Sequence, residues 1–246
     1  MQKNKKIIAI LPAYNAEKTL QMTLNDIPAD WVDEIILVDD ASTDNTARLA
    51  RSLNLKTFVH DKNKGYGGNQ KTCYNEALKS GADIVIMIHP DHQYDPKLVP
   101  EMLLPIINNE TDAVFGSRML IKGEAIKGGM PFWKYYANKF LTVLENSILH
   151  LKLSEYHSGF RAYSKKVLNT VKYNANSNNF VFDTEIIVQL KIHNFKIKEI
   201  PIPTKYFKDA SSVGILAGIT YGLSIVKVLG QYLIQISGLK KYNKFS

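Results

Sequence analysis

Strand-like and helix-like stretches alternate along the first half of this chain, and the strand-like stretches end in clusters of polar residues. Ile7–Leu11, Trp31–Val38, Lys56–His60, Asp83–Ile88 and Ala113–Phe115 read as short apolar or β-branched runs of strand length. Between them, Ala16–Leu24, Thr43–Ser52, Gly68–Ser80 and Pro96–Ile107 carry helical spacing, with Ser42 or Thr43 as the expected N-cap of the second helix. Alternation of this kind predicts an α/β fold with a mostly parallel central sheet flanked by helices. Such sheets bind ligands outside the carboxyl ends of their strands, near a switch in strand order. The polar clusters are therefore the candidate site.

Four clusters stand at such positions. Pro12, Ala13, Tyr14, Asn15 and Glu17 follow the first strand, either as ligand loop or as turn and helix cap. Asp39, Asp40 and Asp44 follow the second. Three carboxylates within six residues repel one another. They suit hydrogen bonding to a ribose or base, or a nearby cation, with an Asx-rich turn as the plainer reading. Lys64, Gly65, Tyr66, Gly67 and Gly68 form a glycine-rich approach to a helix start, which favours phosphate, though the spacing is neither a Walker loop nor a dinucleotide fingerprint. The fourth cluster, His89-Pro90-Asp91-His92-Gln93, places a carboxylate, an amide and two imidazoles after a buried strand. Hard oxygen donors at Asp91 and Gln93 suit Mg²⁺ or Mn²⁺. His89 is read either as a further ligand or as a packing residue. Zinc is disfavoured by the spacing of the two histidines and the absence of a thiolate nearby.

The second half of the chain differs. Lys134–Leu151 and Phe180–Ile192 are helical patterns, and Lys196–Pro203 is a strand interrupted by prolines. Val213–Leu239 is long and mostly apolar, broken by Lys227, Gln231 and Gln235 and followed by Lys240, Lys241 and Lys244. Polar groups at mid-bilayer are costly. This stretch is therefore read as an amphipathic helix on a membrane surface, or as one packed on its own domain or on a partner subunit. The domains expected are 1–212 and a helical appendage over 213–246. The formal charge of +8 favours anionic partners, but no basic run interleaved with aromatics marks nucleic acid. Met1–Lys6 and the short apolar run after it do not make a signal peptide. The lone Cys73 permits no internal disulfide and suits a reducing compartment. Homo-oligomerisation is left open.

Taken together, the clusters resemble those of family-2 glycosyltransferases of the GT-A fold, the nucleotide-diphospho-sugar transferase fold. The chain is most similar there to the branch of dolichyl-phosphate mannose synthases and other polyprenyl-phosphate sugar transferases. Ile10–Glu17 resembles the family's opening strand and nucleotide loop, and Val38–Asp44 its Val-Asp-Asp-x-Ser-x-Asp signature. Asn63–Gly68 resembles its Asn-x-Gly-x-Gly loop, Gly116-Ser117-Arg118 its Gly-Ser/Thr-Arg segment, and Ser158–Tyr163 its Ser-Gly-Phe-Arg-x-Tyr/Phe segment. Asp91 and Gln93 fall in the metal motif, whose first aspartate is His89 here.

The resemblance implies inverting transfer from a nucleotide-diphospho-sugar to a lipid phosphate or other small acceptor, with one divalent metal. It places Glu155 where the family's catalytic aspartate stands, with His157 as the alternative base. Arg118 and Arg161 fit either as bidentate forks on phosphate or as salt-bridge partners. Lys205 and Lys208 could meet a lipid phosphate, although the family's basic pattern there is not reproduced. A cytoplasmic enzyme, peripheral at the inner face of the membrane, is the expected setting. The rivals are a nucleotidyltransferase, which would want a Gly-rich Lys/Arg loop after strand one, and a non-catalytic nucleotide-sugar-binding protein, which the exchange at His89 keeps open.

Overall fold

The computed structural model describes residues 5–203 and 214–246, with the side chains at 215 and 216 left aside. Seven strands form one sheet in the order β3-β2-β1-β4-β6-β5-β7. They are β1 (Ile7–Ala13), β2 (Glu34–Asp39), β3 (Lys56–Val59), β4 (Ile84–Met87), β5 (Ala113–Ser117), β6 (Arg161–Ser164) and β7 (Ile197–Pro201). All pairings are parallel except those of β6, which runs antiparallel to both β4 and β5. The helices are α1 (Leu20–Asp26), α2 (Thr46–Ser52), α3 (Tyr66–Lys79), α4 (Val99–Ile107), α5 (Glu124–Lys127), α6 (Phe132–Leu149), α7 (Lys165–Thr170), α8 (Phe182–Ile192) and α9 (Ile215–Ile236).

β1 is buried along its whole length because both faces of the sheet are covered. Its side chains alternate between two cores, as the twofold period of a strand requires. Ile8 and Ile10 join Cys73 and Tyr74 of α3, Ile186 and Ile187 of α8, and Ile225 and Leu229 of α9. Ile7, Ala9 and Leu11 join Leu20 of α1, Ala50 of α2 and Met102 and Leu103 of α4. From β1 the chain steps outward to β2 and β3, then returns across β1 to β4. The carboxyl ends of β1, β2 and β4 thus open at the switch in strand order.

Several boundaries depart from the sequence reading. α1 begins at Leu20, four residues late, because the loop before it is tied elsewhere. The backbone N–H groups of Asn15, Ala16 and Glu17 donate to Ser42 Oγ, Thr46 Oγ1 and Asp44 Oδ2 (2.8, 2.8 and 3.1 Å). The same tie corrects the cap of α2. Neither Ser42 nor Thr43 caps it; the cap position is Asn45, and Asp44 Oδ1 takes the Thr46 N–H at 2.9 Å. β6 and α7 were not foreseen. β6 is four residues long and begins with an arginine, so it lacks the apolar signature of the other inner strands.

α9 packs against α6 and α8, burying Ile225, Val228, Leu229 and Tyr232. Of the three readings of this stretch, packing on its own domain describes one side of the helix. The expected boundary at 212/213, and Lys205 and Lys208, lie outside the described residues.

Candidate active site

A cavity of about 1360 Å³ opens at the carboxyl ends of β1, β2 and β4. Pro12, Ala13, Tyr14, Asn15 and Glu17 line it, as do Asp40, Gly65, His89, Asp91, Gln93 and Arg118. The polar clusters therefore converge on one space. Four expected residues do not line it: Asp39, Lys64, Glu155 and Arg161.

The floor of the cavity is held by carboxylates acting on backbone. Asp39 is buried and accepts from the Ser42 N–H (3.0 Å) and from the Ser42 hydroxyl. Asp40 Oδ1 accepts from the Lys64 N–H (2.8 Å) and bonds the His60 ring at 2.7 Å, and its Oδ2 accepts from the Gly65 N–H at 3.0 Å. Gly65 sits at φ +81°, where glycine is favoured, and this turn starts α3 at Tyr66, two residues before the expected start. Lys64 thus contributes its backbone to the site. Glu17 reaches back to Asn45, accepting from its backbone N–H at 3.1 Å and its side-chain amide at 2.9 Å. Asp39 thus fixes its own loop, Asp40 ties that loop to the one after β3, and Asp44 ties it to the one after β1.

At the end of β4, Asp91 Oδ1 accepts from the Gln93 N–H at 3.1 Å. Its other oxygen has no hydrogen-bond partner among the described residues and lies in the cavity wall. Among those residues no group of three His, Cys, Asp or Glu side chains converges as a metal cage. The donor set is one carboxylate with a neighbouring amide. That fits Mg²⁺ or Mn²⁺, which keep waters and complete their shell from substrate phosphates, better than an all-protein cage. His89 stacks on the Tyr66 ring (centroids 5.6 Å apart, planes 15°), and a Cβ at Gly159 would collide with its Nε2. Burial lowers the pKa of His89, against the pull of Asp91. These contacts are those of a packing residue. His92 turns away to Asp26 at 3.0 Å, so the two histidines do not form a pair.

Opposite lies a second charged group. Glu155 is 1% exposed and accepts from the Arg118 backbone N–H (2.8 Å), Arg118 Nε (2.8 Å) and Asn138 Nδ2 (2.8 Å), with a further ion pair to Arg118 Nη2. Burial alone would raise its pKa, but the Arg118 guanidinium outweighs this and holds the carboxyl below its ordinary range. Arg118 also donates to the His157 carbonyl at 3.1 Å and faces the cavity beside Lys134 of α6. Burial, then the Arg118 charge, lowers the pKa of Lys134. Arg161 is enclosed. It donates to the carbonyls of Ser158 (2.8 Å) and Tyr156 (2.6 Å), pairs with Asp183 at 3.6 Å and lies over the Phe115 ring. It braces the segment before β6.

A third polar group joins the site to α9. Glu145 Oε2 lies 3.2 Å from His157 Nε2, and His157 Nδ1 bonds the Tyr221 hydroxyl at 2.9 Å. Burial pushes Glu145 up to about 8 and His157 down to about 3. Between those values the pair is a neutral carboxylic acid beside a neutral imidazole. His157 and Tyr221 line the cavity; Glu145 stands behind them.

Asp183, Lys134 and Tyr221 escaped the sequence reading, which took in Tyr66 only as part of the glycine-rich loop. Asp183 carried a signal, a carboxylate in the first turn of a helix, and it accepts from the Tyr66 hydroxyl at 2.8 Å. Lys134 and Tyr221 sit in helical stretches whose pattern speaks only of packing.

Comparison with known proteins agrees with this geometry. Residues 8–172 match the profile of Glycosyl transferase family 2. The chain belongs to that family. It is 30% identical to the UDP-N-acetylglucosamine–dolichyl-phosphate N-acetylglucosaminyltransferase of Methanococcus voltae, over 92% of this chain and 97% of that one. It is 24% identical to glycosyltransferase AglD of Haloferax volcanii, over 80% of this chain and 32% of that one. Among solved structures, glucosyl-3-phosphoglycerate synthase from Mycobacterium tuberculosis, in complex with Mn²⁺, UDP-glucose and phosphoglyceric acid, superposes with a TM-score of 0.70. That match has 16% identity and covers 97% of this chain and 82% of that one, a likeness of fold. The protein is thus a family-2 glycosyltransferase with a GT-A fold.

Proposed function

We propose that this glycosyltransferase moves a sugar from a nucleotide-diphospho-sugar to a polyprenyl phosphate, with inversion at the anomeric carbon. The observation that carries the reading is the two-ended cavity. Its polar end is made of the loops after β1, β2 and β4; its other end is apolar, between Trp133, Phe140 and Leu141 of α6 and Ile219, Leu223 and Val226 of α9. A nucleotide suits the first and an isoprenoid chain the second. Arg118 and Lys134 stand at the junction, where an acceptor phosphate would lie. The Methanococcus voltae relative, by its name, acts on dolichyl phosphate, which supports this acceptor class.

Asp91, with Gln93, would hold the divalent metal, which when bound neutralises charge on the departing nucleoside diphosphate. Pro12–Glu17 and Asp40 would seat the nucleotide. In an inverting displacement an acceptor phosphate oxygen forms the new bond to the anomeric carbon as the bond to the diphosphate oxygen breaks. An ionised phosphate has no proton to surrender, so no general base is required. Glu155, ionised and saturated by Arg118 and Asn138, then serves to aim Arg118, the orienting role rather than the proton-accepting one. The test is transfer of labelled sugar to dolichyl phosphate across a panel of nucleotide-sugars, with Mg²⁺ or Mn²⁺. Asp91→Ala should abolish metal-dependent transfer; full activity in that variant overturns the metal assignment.

A further inference from the structure

Glu145, His157, Thr184 and Tyr221 come from four segments, α6, the stretch before β6, α8 and α9, and meet at the wall of the cavity. Glu145 and Thr184 are fully buried and the His157 side chain is nearly so. Each polar group is within reach of the next. Glu145 Oε2 lies 3.2 Å from His157 Nε2, and neither atom has another hydrogen-bond partner among the described residues. His157 Nδ1 bonds the Tyr221 hydroxyl at 2.9 Å. Thr184 is a hydrogen-bond partner of Tyr221 and bonds Glu145 Oε1 at 3.2 Å. The four groups thus close a ring. The transfer step leaves all four unused, and a carboxyl buried without a lysine or arginine paired to it is costly.

Proton count decides what such a ring can do. With a carboxylic acid and a neutral imidazole, every member gives one hydrogen bond and takes one, whichever way round the donors run, and the ring carries no charge. Removing one proton opens it. A Glu145 carboxylate accepts from both its neighbours, so the imidazole proton moves to Nε2 and Nδ1 becomes an acceptor. Tyr221 must then donate to His157, Thr184 donates to Glu145, and the contact between Tyr221 and Thr184 is left without a proton. That contact is the tie of α9 to α8 within the ring. Other charged and titratable groups face the ring: Arg118, Glu155 and Tyr156 act around His157, and Arg161 and Asp183 act from β6 and α8. The ring also reaches the acceptor end of the cavity. Tyr221 lines it with Ile219, Leu223 and Val226 of the same helix, and the His157 carbonyl accepts from Arg118 Nη2 at 3.1 Å.

We propose that Glu145, in its acid form, is a positioning residue for the acceptor: through the ring it seats Tyr221 and α9, and through the His157 carbonyl it steadies Arg118. The inference rests on the reading that the acceptor occupies the α6–α9 end of the cavity. Burial keeps the Glu145 proton in place up to about pH 8, so the ring is closed below that value and opens above it.

The experiment is steady-state transfer by the full chain, with dolichyl phosphate and a nucleotide-sugar, from about pH 7 to about pH 9, beside amide hydrogen exchange of α9 over the same range. One unit above the Glu145 pKa about a tenth of the rings remain closed, so KM for dolichyl phosphate should rise about tenfold at about pH 9 while KM for the donor holds. Exchange in α9, corrected for its intrinsic rise with pH, should quicken over the same interval. In Glu145→Gln the amide donates to His157 and its oxygen accepts from Thr184 at every pH. Both profiles should therefore be flat, with the acceptor KM of wild type at pH 7. Tyr221→Phe opens the ring at every pH and should show the raised acceptor KM already at pH 7. An alkaline rise that Glu145→Gln retains overturns the proposal and assigns the rise to Lys134, which also loses charge in alkali. No rise in wild type overturns it too. Should Glu145→Gln fail to fold, Tyr221→Phe with the acceptor KM of wild type at pH 7 overturns it. The exchange measurement needs no substrate. Quickened α9 exchange that Glu145→Gln abolishes, without any transfer to dolichyl phosphate, would sink the acceptor reading and leave the ring standing.

Discussion

Glu145 is held in an environment far from water. It is a carboxyl in the core between α6 and α8, held near the imidazole of His157 and accepting from the Thr184 hydroxyl at 3.2 Å. Its pKa rises from 4.5 to about 8, so the folded state keeps a proton that the unfolded chain releases. Stability from this group is complete below about pH 4.5 and is lost as the pH climbs through 8. His157 acts in the opposite sense: its pKa falls from 6.5 to about 3, so its contribution is complete above 6.5 and is lost as the solution is acidified towards 3. Glu145→Gln mimics the protonated acid. It should raise the denaturant midpoint at pH 8 to 9 relative to wild type and leave the acid limb in place, as urea titrations across pH would show. Gly159 offers a second test. A methyl there would meet His89, so Gly159→Ala should cost about 1–3 kcal/mol, and pairing it with His89→Ala should return part of that loss.

At the level of elements, the sequence was most legible where strands carry continuous apolar runs. β1, β2 and β4 announce themselves through Ile7–Leu11, Ile35–Val38 and Ile84–Ile88, and with them the places where polar loops must gather. β6 was not legible because two of its four residues are Arg161 and Ser164, and its stability comes from neighbours on both sides. Most of the expected site residues line one cavity, but their partners could not be read from composition. Asp39 and Asp40 look like ligands in sequence and bind backbone in the fold; Glu155 looks like a base and is claimed by an arginine 37 positions away. Long-range pairing of this kind leaves no local trace. The mutual tie between the loops after β1 and β2 predicts that Asp44→Ala disorders both. That substitution removes acceptors for the Thr46 and Glu17 N–H groups and should cost about 1 kcal/mol, the usual value of a lost cap. Donor affinity measured by calorimetry should fall with it.

Across the whole molecule, the side chains of the cavity are sorted by polarity: Asp40, Asp44 and Asp91 line it beside the loops after β1, β2 and β4, and apolar side chains of α6 and α9 line it at the other side. If Asp91 holds a divalent metal, dialysis against a chelator should abolish transfer, and restoring Mn²⁺ or Mg²⁺ should bring transfer back.

The position of β6 also dictates how this protein can be born. β4 and β5 are finished when residue 117 has been synthesised, yet the strand that belongs between them is not made until residue 164. For that interval a nascent chain carries two inner strands with open hydrogen-bonding edges, ready to pair with whatever is near. Arg161 closes the gap as β6 arrives. A chain halted on the ribosome before this strand emerges should need a chaperone, and one halted well after it should not.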